Sequence, residues 1–566
     1  MAENDFFEKN IGALGDRRRD LRASLERARA LGLDRKFYSF IETPVFGAVP
    51  ALASEAGPAR ALHSTVNPQR EAERLIGRGP DGFAVFLGLG GGFAVEAALN
   101  ISGAAFAIAI EFGAAGLAEL FSARDYSGLL RDPRFELLLD PDDEQIESAI
   151  ARRYLPAIYG GIKVFPLRPR IAPDPGPFER ASNAAMRAIE AVSADYSAQT
   201  HFGMRWFSNI IRNALEARMD TVPASFLGAS EIAICAAGPS LDEQAPLILA
   251  RQKSRGEGGA LVICADTALP ALLAHGIKPD AAVSIDCQHA SCLHFMGSAC
   301  RDIPLFMDIS SPPELRGLSD FPFFFCGGHP LAAYLRMKWA SLPAVDTSGG
   351  NVTYACLSLA HTLGARNIAI YGADFSYPGG RIYARGSYVF SLFESRQTRL
   401  SPLEAQAGAF LFRNLFLHDD DPAESGGKRR YETAILRSYR ISLARKVAQI
   451  AARPQRALEF LGKRSRDSSR PFSFEARPFS PAREGFRFFP PTLSGADFLR
   501  GYLRALESLR LPEGPPKFAR EEDGLVFETL LPFMAALRSR RPALSGARLA
   551  EESRRMCADK IAKALG

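Results

Sequence analysis

The 566-residue chain is poor in cysteine, with eight and no CxxC pair, so neither a disulfide framework nor the usual zinc motifs are available to it. It also lacks a long apolar run. The most apolar window, Ala104 to Leu120, is broken by Glu111, Gly113, Gly116 and Glu119, and nothing approaches the roughly 18 to 20 residues that cross a bilayer. Charge of one sign is scarce too: 69 Lys and Arg against 63 Asp and Glu leave +6, too little to argue for nucleic acid as a partner. The opening MAENDFFEKN carries acids where a secretory signal carries bases, so the expectation is a cytoplasmic protein in a reducing compartment. No internal repeat of fixed period is present.

What remains is ordinary globular composition, 47% hydrophobic and 23% charged, which excludes a disordered or collagen-like chain. At about 150 residues per domain the length suggests three or four domains. Residues 1–75 read as mostly helical, with DRRRDLRASLERARALG setting arginines against apolar positions at helical spacing. Residues 76–165 read as a Rossmann-like block: strands at Gly82 to Leu87, Ala104 to Ile110 and Phe135 to Leu139, with a glycine-rich turn and helix after the first. Five prolines between Val164 and Phe178 mark a linker, and connecting helices fill the rest of 166–227.

Residues 228–400 carry six more apolar runs, starting at Glu231, Ala260, Ala281, Ile303, Phe321 and Asn367. They predict a second, larger parallel sheet. Residues 401–566 read as a helical C-terminal region, with Arg464 to Pro491 as an interrupted linker. The expected fold class is α/β, two tandem Rossmann-like blocks followed by helices.

Four constellations carry possible chemistry. Gly88-x-Gly90-x-Gly92 follows a strand, and Glu111 ends the next one; glycines admit backbone amides to a ligand and a strand-tip acid suits ribose hydroxyls. The same residues also make a tight strand-to-helix turn. Gly238-Pro239-Ser240 opens a helix, with Glu243 spaced for a capping box, and free amides there attract phosphate. Asp266 and Asp286 stand just past two neighbouring strands, on the edge where Gly238 and Ser240 lie. Ser348-Gly349-Gly350 opens another helix as a second anion cradle, followed by Asp374, Tyr377 and Tyr383, whose phenols can donate to phosphate oxygen. Cys287, His289, Cys292 and His294 are close in sequence, but their spacing fits no common zinc framework, so no metal site is expected.

The strings CAAGPSLDEQ, VICADTALPALLAHGIKPDAAVSID and TSGGNVTYACLSLAHTLGARNIAIYGADFSY resemble the central domain of the motility-associated factor (Maf) flagellin glycosyltransferases, a domain shared with the MptE-like pterin diphosphokinases. The Gly88 to Glu111 block resembles the N-terminal Maf domain. The central block is also similar to bacterial sialyltransferases with one Rossmann-like domain. That resemblance implies transfer of a nonulosonic acid (pseudaminic, legionaminic or sialic-like) from a CMP-activated donor to flagellin Ser or Thr. It assigns donor contacts to Gly238, Pro239, Ser240, Asp266, Ser348, Gly349, Gly350, Tyr377 and Tyr383.

Two departures stand out. Ala237 replaces the asparagine of the sialyltransferase turn, and GKRRYETAILRSY holds no histidine where those enzymes carry their base. His418, about ten residues upstream, is the substitute if its loop folds back, with Asp286 or Asp374 as the other candidates for donor orientation or base. No tightly bound cofactor is expected beyond the CMP-sugar substrate. Two rivals remain: ATP-dependent pyrophosphoryl transfer, which would need Mg²⁺ held by several acids, and an inactive flagellin-binding scaffold. Oligomeric state is not legible.

Overall fold

The computed structural model describes residues 6–15, 18–31, 37–53, 59–77, 82–217, 224–226, 231–253, 260–296, 300–340, 342–413, 417–420, 429–455, 469–477, 486–488, 493–511, 516 and 518–566. The chain forms two compact units. The first comprises residues 1–203, 510–524 and 531–553, and the second residues 204–509, 525–530 and 554–566.

The first unit starts with the expected helices, Phe7–Leu14 and Arg19–Leu31. It then departs from the mostly helical expectation. β1 (Tyr38–Thr43), β2 (Gly47–Leu52) and β3 (Arg60–Ala61) make an antiparallel sheet. Four parallel strands follow: β4 (Phe83–Leu87), β5 (Phe106–Glu111), β6 (Phe135–Leu139) and β7 (Ile162–Pro166), in the order β6-β5-β4-β7. Every residue of β4 and β5 is buried, which is why both appear in the sequence as unbroken apolar runs. β7, not among the expected strands, ends the Rossmann-like block and runs into the proline-rich stretch read as a linker. Its partly exposed residues and terminal Pro166 suit a sheet edge, where proline is tolerated.

In the second unit β8 (Ala224–Phe226) is followed by β9 (Glu231–Cys235), β10 (Leu261–Ala265), β11 (Ala281–Ser284), β12 (Leu305–Asp308), β13 (Pro322–Phe325) and β14 (Asn367–Tyr371). β9 to β14 are parallel. Beyond them lie β15 (Tyr377–Pro378), β16 (Leu417–Asp420), β17 (Arg430–Thr433), β18 (Phe472–Glu475) and β19 (Phe486–Phe488). β18 joins the sheet antiparallel to β14, giving the order β13-β12-β11-β10-β9-β14-β18. The central sheet thus draws a strand from the segment Arg464 to Pro491, of which residues 464–468, 478–485 and 489–491 lie outside the described residues.

The chain lays down β9 to β13 outward on one side, then returns through the helix Val352–Thr362 to place β14 on the other side of β9. Eight residues of that helix are buried, as a helix covering a sheet on one face and protein on the other must be. Strand order therefore reverses between β9 and β14, and the crevice outside their carboxyl ends is where such sheets bind ligands. A small subdomain adjoins this edge. It combines the sheet β15-β17-β16 with helices Tyr388–Arg396 and Leu403–Phe412 around Ile382, Val389, Phe393 and Leu411. The helices Gly495–Ser508, Glu521–Arg540 and Gly546–Leu565 close the chain. No described helix is long and apolar enough to cross a membrane.

Candidate functional site

At the switch point the turn after β9 meets the turn after β14 backbone to backbone. Gly238 N donates to Gly372 O at 2.8 Å, and a Cβ on Gly238 would stand 2.2 Å from the Asp374 carboxylate. Gly238 is there because nothing larger fits. Asp374 then does what the sequence reserved for a phosphate: its Oδ2 accepts from both the Ser240 amide and the Ser240 hydroxyl, at 2.9 Å each. Glu243, spaced for a capping box, pairs instead with Arg381 at 3.3 Å. Burial raises the pKa of Asp374, opposed by the Ser240 hydrogen bonds and by Arg430, 3.9 Å away. Next to it Phe375 has φ 45°, a left-handed conformation uncommon outside glycine, and such strain concentrates at functional sites.

One strand over, Asp266 is 1% exposed and accepts from Ser284 Oγ and the Thr267 amide, both at 2.7 Å. Burial pushes its pKa up, while His294 pulls it down. Asp286 accepts from the Gln288 amide at 2.9 Å. The four Cys and His residues near this strand end do not act together: His289 faces Glu314 at 3.7 Å, whereas His294 turns inward onto Tyr388.

His294 is the residue sequence reasoning set aside. Its ring meets Tyr388 edge-on at 4.5 Å between centroids, it is 8% exposed, and its buried Nδ1 has no hydrogen-bond partner among the described residues. Burial lowers its pKa, with Asp266 and then Asp286 opposing, so the imidazole is neutral at neutral pH. The signal was present in the sequence, a histidine just past a strand carrying a strand-tip acid, but it was masked by the apparent metal spacing.

Tyr377 and Tyr383 sit on the loop that leads from β14 into the subdomain. Two backbone hydrogen bonds fix that loop to the first turn: Ala384 N to Ala237 O at 2.9 Å, and Arg385 N to Asp242 Oδ1 at 3.0 Å. Burial raises the hydroxyl pKa of Tyr377, Tyr383 and Tyr388, that of Tyr383 to about 12, and Arg413 opposes it at all three. Arg413 lies 3.8 Å over the Phe410 ring, which itself meets Tyr383 at 6.5 Å between centroids, so its charge stands near the tyrosine cluster. It was not legible in the sequence, since it ends a helix far along the chain.

The Ser348-Gly349-Gly350 turn is built around Asp346, which accepts from Ser348 N at 3.0 Å, Tyr354 Oη at 2.9 Å and Lys446 Nζ at 2.8 Å. These bonds, with Lys446 and Ser348 foremost, overcome burial and hold the Asp346 carboxyl below the usual range. Asn351 caps the helix through the Tyr354 amide, and Tyr439 covers Gly350 while lying within electrostatic reach of Asp286. His418 is exposed on β16, across β17 from Tyr377. Pairing of β16 with β17 folds its segment back toward the tyrosine strand, yet no described contact joins it to Asp266, Asp286 or His294.

The glycine turn of the first unit is closed by the protein itself. His63 Nε2 accepts from Gly91 N at 2.8 Å, and a Cβ on Gly90 would collide with His63 and Leu167. Glu111, 1% exposed, accepts from Leu89 N at 2.9 Å and pairs with Arg170 at 2.8 Å. Gly88 packs against Leu167 and Arg170. The three residues sequence placed together are together, but their polar groups are spent on one another and on their neighbours.

This is a crevice at the topological switch point of a parallel sheet in a larger α/β protein. Residues 205–380 match the family described as 6-hydroxymethylpterin diphosphokinase MptE-like. The whole chain shares its fold with the structure of the MAf glycosyltransferase from Magnetospirillum magneticum AMB-1, with a TM-score of 0.54 and 14% identity over 99% of this chain and 94% of that one. The resemblance read from the sequence is borne out at the level of fold and central region.

Two proteins of Treponema pallidum (strain Nichols), both described as uncharacterized, are closer in sequence. One is 39% identical over 139 residues, covering 24% of this chain and 46% of its own length, so the chain spans about half of that relative. The other is 32% identical over 172 residues, 30% of this chain and 80% of its own length. The chain belongs to the family of that second protein.

Proposed function

We propose that this protein is a glycosyltransferase that moves a nonulosonic acid from a CMP-activated donor to a serine or threonine of a protein acceptor, flagellin being the acceptor the resemblance implies. The observation that carries the reading is the packing at the switch-point edge, where His294 meets Tyr388 edge-on, Tyr383 meets Phe410 and Arg413 lies over that same ring, with Asp266 buried at the tip of a neighbouring strand. Asp374 already fills the helix start at Ser240, so the donor phosphate belongs on the tyrosine side. There the phenols donate to it and Arg413 offsets its charge as CMP leaves.

The acceptor hydroxyl attacks the anomeric carbon in one displacement. The new C–O bond forms as the bond from that carbon to the phosphate oxygen breaks, and the hydroxyl proton passes to the neutral imidazole of His294. Asp266 stabilises the imidazolium. Asp286, Ser348, Gly349 and Gly350 border the same edge and position the sugar.

The MptE-like match favours a second reading, pyrophosphoryl transfer from ATP with Mg²⁺. Calorimetric titration with CMP and ATP, with and without Mg²⁺, separates the two. Metal-independent CMP binding, weakened about tenfold by Tyr383→Phe through loss of one hydrogen bond to a charged group, is expected. ATP preferred over CMP only with Mg²⁺ would overturn the glycosyltransferase reading.

A further inference from the structure

In the second unit the chain leaves β12 through Ile309, Ser310 and Ser311, all buried, so their carbonyls lie beyond the strand's end and need donors. The donors come from residues 204–216, the part of the helix Pro175–Glu216 that belongs to this unit. Asn213 Nδ2 donates to Ile309 O at 2.8 Å and to Ser311 O at 2.9 Å. Asn209, one turn earlier, donates from Nδ2 to Ser310 O at 2.8 Å and to Cys287 O at 3.1 Å. Both side chains are buried, on a helix face that is ordinarily apolar where it packs against a sheet.

The two asparagines differ in what they tie together. Asn213 spends both amide hydrogens on one loop. Asn209 spans two, joining the β12 loop to the chain just past β11. Cys287 follows Asp286 directly, and the stretch from there to His294 is short and braced within itself. Asp286 accepts from Gln288 N at 2.9 Å, Ser291 N donates to Gln288 O at 3.0 Å, and His289–His294 is a 3₁₀ helix that ends on His294. An anchor on Cys287 therefore sets where both side chains of the crevice begin and end that stretch. An apolar side chain at 209 would fill the space without holding it.

We propose that Asn209 is a positioning residue of the crevice: it fixes Asp286 and His294 by tying the Cys287 carbonyl to the β12 loop. The inference rests on the roles proposed above for those two side chains. Asn213 supplies the matched comparison, with as many bonds to the same loop and none to the segment that carries them.

The test compares Asn209→Ala with Asn213→Ala in the full chain, with Asn209→Ser as a milder variant that keeps a donor. Trp206 and Trp339, both in the second unit, report by fluorescence that each variant is folded. Hydrogen exchange of peptides covering residues 286–294 should accelerate about tenfold or more in Asn209→Ala and stay within about threefold of wild type in Asn213→Ala. Calorimetry should show CMP-N-acetylneuraminic acid bound about fivefold or more weaker by Asn209→Ala, CMP within about twofold, and neither ligand affected in Asn213→Ala. A general loss of stability would not split the two ligands in this way. Exchange of 286–294 unchanged in both Asn209 variants, or equal effects of the alanine variants at 209 and 213, would overturn the inference and leave the transferase reading standing. A wild type that binds neither ligand would overturn that reading and the positioning role with it.

Discussion

Replacing Arg170 by methionine tests how the first unit closes its glycine turn. The substitution removes the 2.8 Å ion pair to Glu111, the 2.6 Å hydrogen bond to Phe112 O, and guanidinium contacts with Phe37 and Phe178 at 4.8 and 5.0 Å. Methionine fills most of the space but leaves a carboxylate that is 1% exposed, held only by the Leu89 and Phe112 amides. Breaking one side of a buried pair costs about 3–5 kcal/mol.

The cost carries a pH signature. Burial already raises the pKa of Glu111 despite Arg170, and losing that charge raises it further. A carboxyl with a raised folded pKa contributes fully below its unfolded pKa, about 4.3, and that contribution is lost as pH rises through the folded value. The variant should therefore suffer more at pH 8 than at pH 5. Both tryptophans, Trp206 and Trp339, lie in the second unit, so fluorescence would miss the event. Hydrogen exchange of peptides from β4 and β5, corrected for intrinsic rates, reads it directly. Exchange at pH 8 should speed up by roughly two to four orders of magnitude, as 1.4 kcal/mol is tenfold. Exchange within threefold of wild type, or a pH-independent loss, would refute the argument.

Two further outcomes are expected in the second unit. His294→Gln should lower the kcat of the proposed transfer by roughly 10²–10⁴-fold and abolish the acid-side fall expected of the wild type, whose proposed base would be protonated as pH falls through a histidine pKa held below its usual value by burial, against Asp266 and Asp286. CMP binding should stay within about threefold, so an unchanged pH profile in an active protein removes the base assignment without touching the transferase reading. Gly349→Ala would place a Cβ 2.2 Å from the Tyr354 ring, which is hydrogen-bonded to Asp346 and cannot swing freely. Overpacking of this kind costs about 1–3 kcal/mol, visible as a lower denaturation midpoint together with weaker donor binding.

Much of the fold was legible because buried parallel strands write themselves as continuous apolar runs. All nine strands expected between residues 82 and 371 are present, within a residue or two of their expected ends. What escaped notice were strands without that signature. β1 and β2 pair antiparallel with exposed positions, β7 is half exposed among prolines, and β18 is a four-residue edge strand in a segment rich in serine and charge. In the site, strand topology alone brings Ser240, Asp266, Asp286 and Asp374 to one edge, so their grouping could be read from order and spacing. Their partners could not. Arg413 reaches the tyrosines, and Arg170 reaches Glu111, only through tertiary packing.

The carboxylate of Asp374 at the start of the Leu241–Lys253 helix has a wider consequence. A helix mouth whose Ser240 amide and hydroxyl are both spent on a carboxyl group of the protein's own chain is not a socket awaiting an anion. The Gly-Pro-Ser turn then works as a joint that fixes β14 and the tyrosine loop. A signature sequence and the contact it usually announces have come apart here.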